Sequence, residues 1–216
     1  SRISLLNKNT IVAGSGALDK SLSEFAAEND LSGFEFLSCI PGTVGGGIRN
    51  INDINTLLKI GADKVAINTK AIKNLNFIRE AVEKFGSQAI VGSIVARSNR
   101  DSWEAFIDNA KHRTYKDAIA WAIELENAGV GEIIITSIDN DGRQKGFDID
   151  LVRAVTGVVN LPVIASGGAG SSKDIIKLCK STNCDAVAIA SLIHYDIESI
   201  SEIKKNMRNH DIEIRL

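Results

Sequence analysis

Apolar residues along this chain gather into short runs, separated by longer stretches in which they recur every three or four positions. The runs are 10–15, 39–45, 64–68, 89–96, 131–139, 161–167 and 185–191. They are rich in Val and Ile and mostly apolar on both faces, which is the pattern of strands in a covered parallel sheet. Between them, 17–30 sets Leu18, Leu22, Phe25 and Ala26 along one helical face, and 50–61 opens on an Asn cap and stops at Gly61. The stretch 115–129 carries Ile119, Ala122, Ile123 and Leu125 and stops at Gly129, and 148–159 opens on an Asp cap. Strands alternating with helices, with glycine-rich turns after the strands, predict either a βα-barrel or a doubly wound sheet. The polar segment 97–113, with Trp103 in it, is the longest irregular stretch and the candidate for a mobile flap.

An internal duplication favours the barrel. Residues 44–69 and 165–191 are two copies of one unit: strand end, glycine turn, helix, short strand, small polar residue. Gly46 and Gly47 match Gly167 and Gly168, Asp53 matches Asp174, Asp63 matches Asp185, and Thr69 matches Ser191. Two related halves can close on each other, so the expected fold is α/β, a (βα)8-type TIM barrel. The same repeat leaves 89–96 without a partner earlier in the chain, so the barrel is expected to be truncated at its N-terminus, its first βα unit missing or replaced. The chain is expected to form a single barrel domain over 1–216, with an atypical segment at 1–42 and the barrel proper at 43–216. Seven strands leave two unpaired edges, so either the N-terminal piece closes the ring or the chain self-associates.

Composition narrows the class. The 216 residues are 44% apolar and 24% charged, ordinary for a globular domain. A net charge of −2 gives no basic footprint for nucleic acid. No apolar run has membrane-spanning length and no leader segment is visible. Cys39, Cys179 and Cys184 form no CxxC pair and read as buried or idle thiols of a reducing compartment, hence a cytoplasmic protein. The chain begins at Ser1 and its one methionine is Met207, as in a fragment or a processed chain.

The candidate chemistry falls where strands end and helices begin, which is where barrel sites lie. Asp139, in the run SIDNDG, is placed for proton transfer; the plainer reading of Asp139, Asn140, Asp141 and Gly142 is a polar turn, and Asp141 stays a turn residue. Gly46 and Gly47, and Gly167 and Gly168, are either tight turns or paired phosphate cradles, in which backbone N–H groups face an anion. Asn68, Thr69 and Ser191 can add side-chain hydrogen bonds to the same oxygens, or simply end strands. Two such cradles suggest a substrate with a phosphate at each end. Arg49 and Lys145 read as solvated charges. His112, His194 and His210 share no spacing, and neither a metal-ligand cluster nor a Ser-His-Asp arrangement can be assembled. No cofactor is implied.

From about residue 43 onward, TVGGGI (43–48), GADKVAINT (61–69), FGSQAIV (85–91), TSIDNDG (136–142), PVIASGGAG (162–170) and EIRL (213–216) resemble the cyclase subunit of imidazole glycerol phosphate synthase. The resemblance implies a βα-barrel with two phosphate sites. It implies a lyase of histidine biosynthesis that uses ammonia from a glutaminase partner to close an imidazole ring on a bis-phosphorylated ribulosyl substrate. It assigns acid–base work to Asp139, one phosphate to Gly47, Asn68 and Thr69, and the other to Gly168 and Ser191. The family's second catalytic aspartate sits in a first-strand Leu-Asp-Val type motif that these residues lack, and its acidic residue at the end of the fifth strand gives way to Ser93-Ile94-Val95. Ligand binding without efficient cyclisation is therefore expected. Residues 16–46 resemble instead a flavin-binding segment of UDP-N-acetylenolpyruvoylglucosamine reductase, which makes the chain a possible junction of two proteins. The alternatives are a non-catalytic barrel chimera or fragment, and a cyclase-like accessory protein in surface-sugar amidation.

Overall fold

The computed structural model describes residues 3–7, 10–13, 48–59 and 61–214. The chain divides into two compact units, one made of 1–91 with 128–130 and the other of 92–127 with 131–216. Each carries one copy of the repeat.

In the first unit, β1 (Ile3–Asn7) and β2 (Thr10–Ala13) form a two-stranded antiparallel ladder with Leu5 opposite Ile11. The run at 10–15 is thus a strand, but it pairs antiparallel to β1, where a barrel strand would lie parallel to its neighbours. The predicted helix at 17–30 and the predicted strand at 39–45 lie outside the described residues. α1 (Ile51–Lys59) buries Ile54 and Leu57. It ends as its sequence predicts: Gly61 has φ +110°, its N–H donates to Leu58 O, and Ala62 N–H donates to Leu57 O. That pair of bonds is a Schellman closure, and glycine adopts the left-handed backbone without a Cβ penalty. β3 (Val65–Ile67), α2 (Thr69–Lys73) and α3 (Leu75–Phe85) follow, with Val65, Ala71, Ile78 and Ala81 fully buried.

In the second unit, the strand order is β6-β5-β4-β7-β8-β9. β4 (Ile90–Asn99), β5 (Ser102–Ile107) and β6 (His112–Asp117) make an antiparallel meander. β7 (Glu132–Ser137), β8 (Val163–Ser166) and β9 (Ala186–Ala188) run parallel, with Ile133 opposite Val163 and Ile164 opposite Ala186. The helices are α4 (Ala118–Asn127), α5 (Ile149–Thr156), α6 (Ser172–Ser181), α7 (Ser191–His194) and α8 (Ile200–Arg208). Parallel strands joined through helices give the α/β class and the βα alternation of a TIM barrel. Trp121, Leu125, Ile133, Ile135, Leu151 and Leu178 fill the core of this unit. α4 lies close on β4, since a Cβ at Gly92 would sit 2.9 Å from Leu125 Cδ1.

The segment 97–113 is not an irregular flap. β4 continues to Asn99, Arg100 turns the chain with φ +53°, and β5 and β6 form a hairpin whose loop holds Asp108, Asn109 and Ala110 at positive φ. Asp and Asn tolerate that conformation, which lets so polar a segment close. The helix expected from 115 begins at Ala118, because Asp117 caps it: Oδ1 accepts from Ile119 N–H at 2.9 Å and from Ala120 N–H at 2.8 Å.

Candidate active site

The site in the second unit is built at the C-terminal ends of β4, β7 and β8. Beyond β7, Ile138 N–H donates to Ala96 O at 2.8 Å, which carries the β7 backbone along β4. The next residue is Asp139. Its Oδ2 accepts from Ser98 N–H at 2.8 Å, so one carboxylate oxygen is fixed by the neighbouring strand. No protein donor reaches the other oxygen among the described residues. The following turn closes on Ser137 O, which accepts from Asn140 N–H and Asp141 N–H at 3.3 and 2.9 Å, with Gly142 at φ +71°. Asp141 is therefore a turn former, as expected.

The loop 140–146 lies directly on the glycine turn that follows β8. Gly146 N–H donates to Gly168 O, and Asn140 Nδ2 donates to Gly146 O, each at 2.8 Å. A Cβ at Gly168 would collide with Gly146 O, and one at Gly170 with Gln144 O. Gly168 also sits at φ +111°. Close approach of the two backbones thus explains the glycines before any ligand is considered. Gly168 and Ala169 are buried residues, and among the described residues no protein acceptor takes their N–H groups.

The repeat is visible in hydrogen bonds. In the second copy, Asp174 Oδ2 accepts from Gly170 N–H at 3.0 Å and from Ser171 Oγ–H at 3.2 Å. In the first, Asp53 Oδ2 accepts from Arg49 N–H at 2.8 Å and from Asn50 N–H at 3.0 Å. Each aspartate in the first turn of its helix ties down the glycine-turn backbone four residues earlier. Thr69 and Ser191 hold matching places too, each the first residue of a short helix after a short strand.

The turn that carries Asp139 lies against Gly167 and Gly168: Ser137 O is 3.1 Å from where a Gly167 Cβ would be, and Asn140 Cβ 3.0 Å from where a Gly168 Cβ would be. Ser191 follows β9, the parallel neighbour of β8. Asn68 and Thr69 lie in the first unit at the start of α2. Gly46 and Gly47 lie outside the described residues. Arg49 and Lys145 are exposed, as are all three histidines.

Three supports were not legible beforehand. Ser98 sat inside the supposed flap. Trp103 Nε1–H donates to Asp148 Oδ2 at 2.9 Å, while Asp148 Oδ1 caps α5 by accepting from Leu151 N–H at 3.0 Å, so the hairpin is fastened to the helix after the 139–142 turn. Glu104 takes Arg113 Nη2–H at 2.6 Å and Tyr115 N–H at 2.9 Å. Arg113 holds the Glu104 carboxyl below the usual carboxylate range, against a smaller opposing effect of burial. Glu104 is only 5% exposed and lines two hairpin cavities. The larger, about 250 Å³, is also lined by Arg97, Ser98, Asn99, Phe106 and Arg113, and so reaches the residue that holds Asp139.

Comparison with known proteins follows this geometry. Residues 34–198 match the family described as histidine biosynthesis protein, so the likeness starts ahead of residue 43 and inside the reductase-like segment. The chain is 45% identical over 177 residues to imidazole glycerol phosphate synthase subunit HisF of Streptococcus mutans serotype c, covering 82% of this chain and 70% of that one. It is 45% identical over 177 residues to the HisF subunit of Dehalococcoides mccartyi (82% and 70% covered), and 44% identical over 179 residues to that of Clostridium botulinum (82% and 71% covered).

Proposed function

The chain belongs to the histidine biosynthesis protein family, alongside the HisF subunits, and from that premise we propose that it is a cyclase-type subunit of imidazole glycerol phosphate synthase. In this reading it acts on a bis-phosphorylated ribulosyl compound, with ammonia supplied by a glutaminase partner. Asp139 is the acid–base group. Ser98 N–H fixes Oδ2, and Oδ1 is left to exchange a proton with the substrate. The N–H groups of Gly168 and Ala169, with the Ser191 hydroxyl, take one phosphate. By the repeat, Gly46 and Gly47 with Asn68 and Thr69 take the other.

The observation that carries the reading is the Asp139 carboxylate, anchored at a strand end beside a glycine turn in which, among the described residues, the N–H groups of Gly168 and Ala169 have no protein acceptor. An anion there would satisfy those amides, and the backbone is already set to receive it. The test is ammonium-dependent turnover. Whatever rate the chain sustains, Asp139→Asn cuts it by about 10²–10⁴-fold, the usual worth of a positioned proton-transfer group. An Asp139→Asn variant as fast as the parent would overturn the assignment.

A further inference from the structure

The two copies of the repeat open their helices differently. In the first, Asn50 caps α1 locally: its Oδ1 accepts from Asp53 N–H at 3.1 Å. Ser171 holds the matching place in the second copy. Its side chain accepts from no helix N–H, and its Oγ–H donates to Asp174 instead. The first N–H of α6, that of Ser172, has no partner within the helix either. Glu198 supplies one from 26 residues away: Oε2 accepts from Ser172 N–H at 3.0 Å, and Oε1 accepts from Ser172 Oγ–H at 3.3 Å. Ser172 is 3% exposed, and Asn206 Nδ2 donates to its Oγ at 2.9 Å. A carboxylate at the first turn of this ten-residue helix also meets the positive end of its dipole.

Glu198 stands just past the end of a closed turn. His194 N–H donates to Ala190 O at 2.9 Å, Tyr195 N–H to Ser191 O at 3.0 Å, and Ile197 N–H to Leu192 O at 2.9 Å. Leu192 is fully buried beneath it. Residues 190–197 thus form one hydrogen-bonded piece with Ser191 near its start. β9, paired with β8, leads into that start. Glu198 fastens the far end to the helix that follows the β8 glycine turn. Asp174 braces Gly170 and Ser171 of that turn from within the repeat, so Glu198 is a tie that comes from outside it. A helix cap needs only a local side chain, as Asn50 shows. A cap drawn from residue 198 does one thing more: it fixes the distance between the Ser191 turn and the glycine turn.

We propose that Glu198 is a positioning residue for the second-copy phosphate site: it holds the Ser191 hydroxyl at its working distance from the Gly168 and Ala169 amides. The inference rests on the reading that those three groups share one phosphate. Glu198 touches no substrate and acts through Ser172. With the tie in place, the 190–197 turn is already ordered when the anion arrives. Without it, binding has to order that turn and loses affinity accordingly. The length of the side chain matters to this role, and its charge does not.

The test titrates the full chain with inorganic phosphate and follows the amide signals of Gly168, Ala169 and Ser191. In the parent the three should saturate together. Glu198→Ala should weaken the binding about tenfold or more, toward the loss that a displacement of about 1 Å produces. Glu198→Gln keeps an acceptor at the same reach and should stay within about threefold of the parent, whereas Glu198→Asp, one methylene shorter, should fall below that range although it keeps the charge. Ser199→Ala controls for mere loosening. It removes the α8 cap one residue on, so it should lower the melting temperature yet leave phosphate affinity within about twofold. In turnover, the Glu198→Ala loss should fall on KM, whereas Asp139→Asn loses kcat. A parent that takes up no phosphate at these amides overturns the phosphate reading, and this inference with it. If the parent does bind, the positioning role alone is overturned by Glu198→Ala binding as tightly, by Glu198→Asp outperforming Glu198→Gln, or by Ser199→Ala binding as weakly as Glu198→Ala.

Discussion

Asp139 depends on a backbone donor rather than on a side chain. Ser98 contributes only its N–H, and no role is visible for its hydroxyl. Ser98→Ala should leave turnover within about twofold, while Ser98→Pro, which deletes the donor, should lower it about 10–100-fold, the worth of one hydrogen bond to a charged group. Ammonium-dependent rates of the two variants check this, and equal losses in both would show that the hydroxyl, not the amide, does the positioning. Asp148 serves three partners, Trp103, Leu151 and, at 3.5 Å, the Ser137 hydroxyl. Asp148→Ala loses the α5 cap and strands Trp103 Nε1, whereas Trp103→Phe removes only the hairpin's donor. Denaturant melts should show Asp148→Ala costing about 1–2 kcal/mol and more than Trp103→Phe. In the double variant the losses should fall short of additive by about 0.5 kcal/mol or more.

At the scale of elements, the β5–β6 hairpin is held by Glu104 and Arg113. The Glu104 carboxyl is held below its ordinary range when folded, so this support is present above the unfolded value of about 4.3 and is lost as pH falls through the lowered folded value. Stability measured from pH 7 to 3 should decline over that window, and Arg113→Ala should flatten the decline; an unchanged acid limb would count against the pair. The glycine turn after β8 is held just as tightly. Gly168→Ala forces a Cβ onto Gly146 O at positive φ, and should destabilise by about 1–3 kcal/mol in thermal melts. These two elements show what was legible beforehand. The turn could be read because glycine repeats, helix caps and apolar strands are local signals, and α1 closes at Gly61 as its sequence says. The hairpin could not: HRTYKD has no apolar alternation, and its hold on Glu104 comes from residues nine and eleven positions away. The same distance hid Ser98, since nothing near residue 98 announces a carboxylate 41 positions later.

For the whole molecule, the duplication organises the account. One copy lies in each unit, and each uses an aspartate to brace the backbone of its own turn. Their likeness, together with 45% identity to HisF relatives, is what the proposal of a phosphate cradle in each copy rests on. Among the described residues, no helix is long and apolar enough to cross a membrane. The central claim is that the buried amides after β8 receive an anion. Amide-resolved NMR during titration with a bis-phosphorylated ribulosyl ligand tests it most directly. The N–H signals of Gly168 and Ala169 should shift and saturate together with that of Ser191. If those three stay still while the ligand binds, or no ligand binds at all, the account is contradicted.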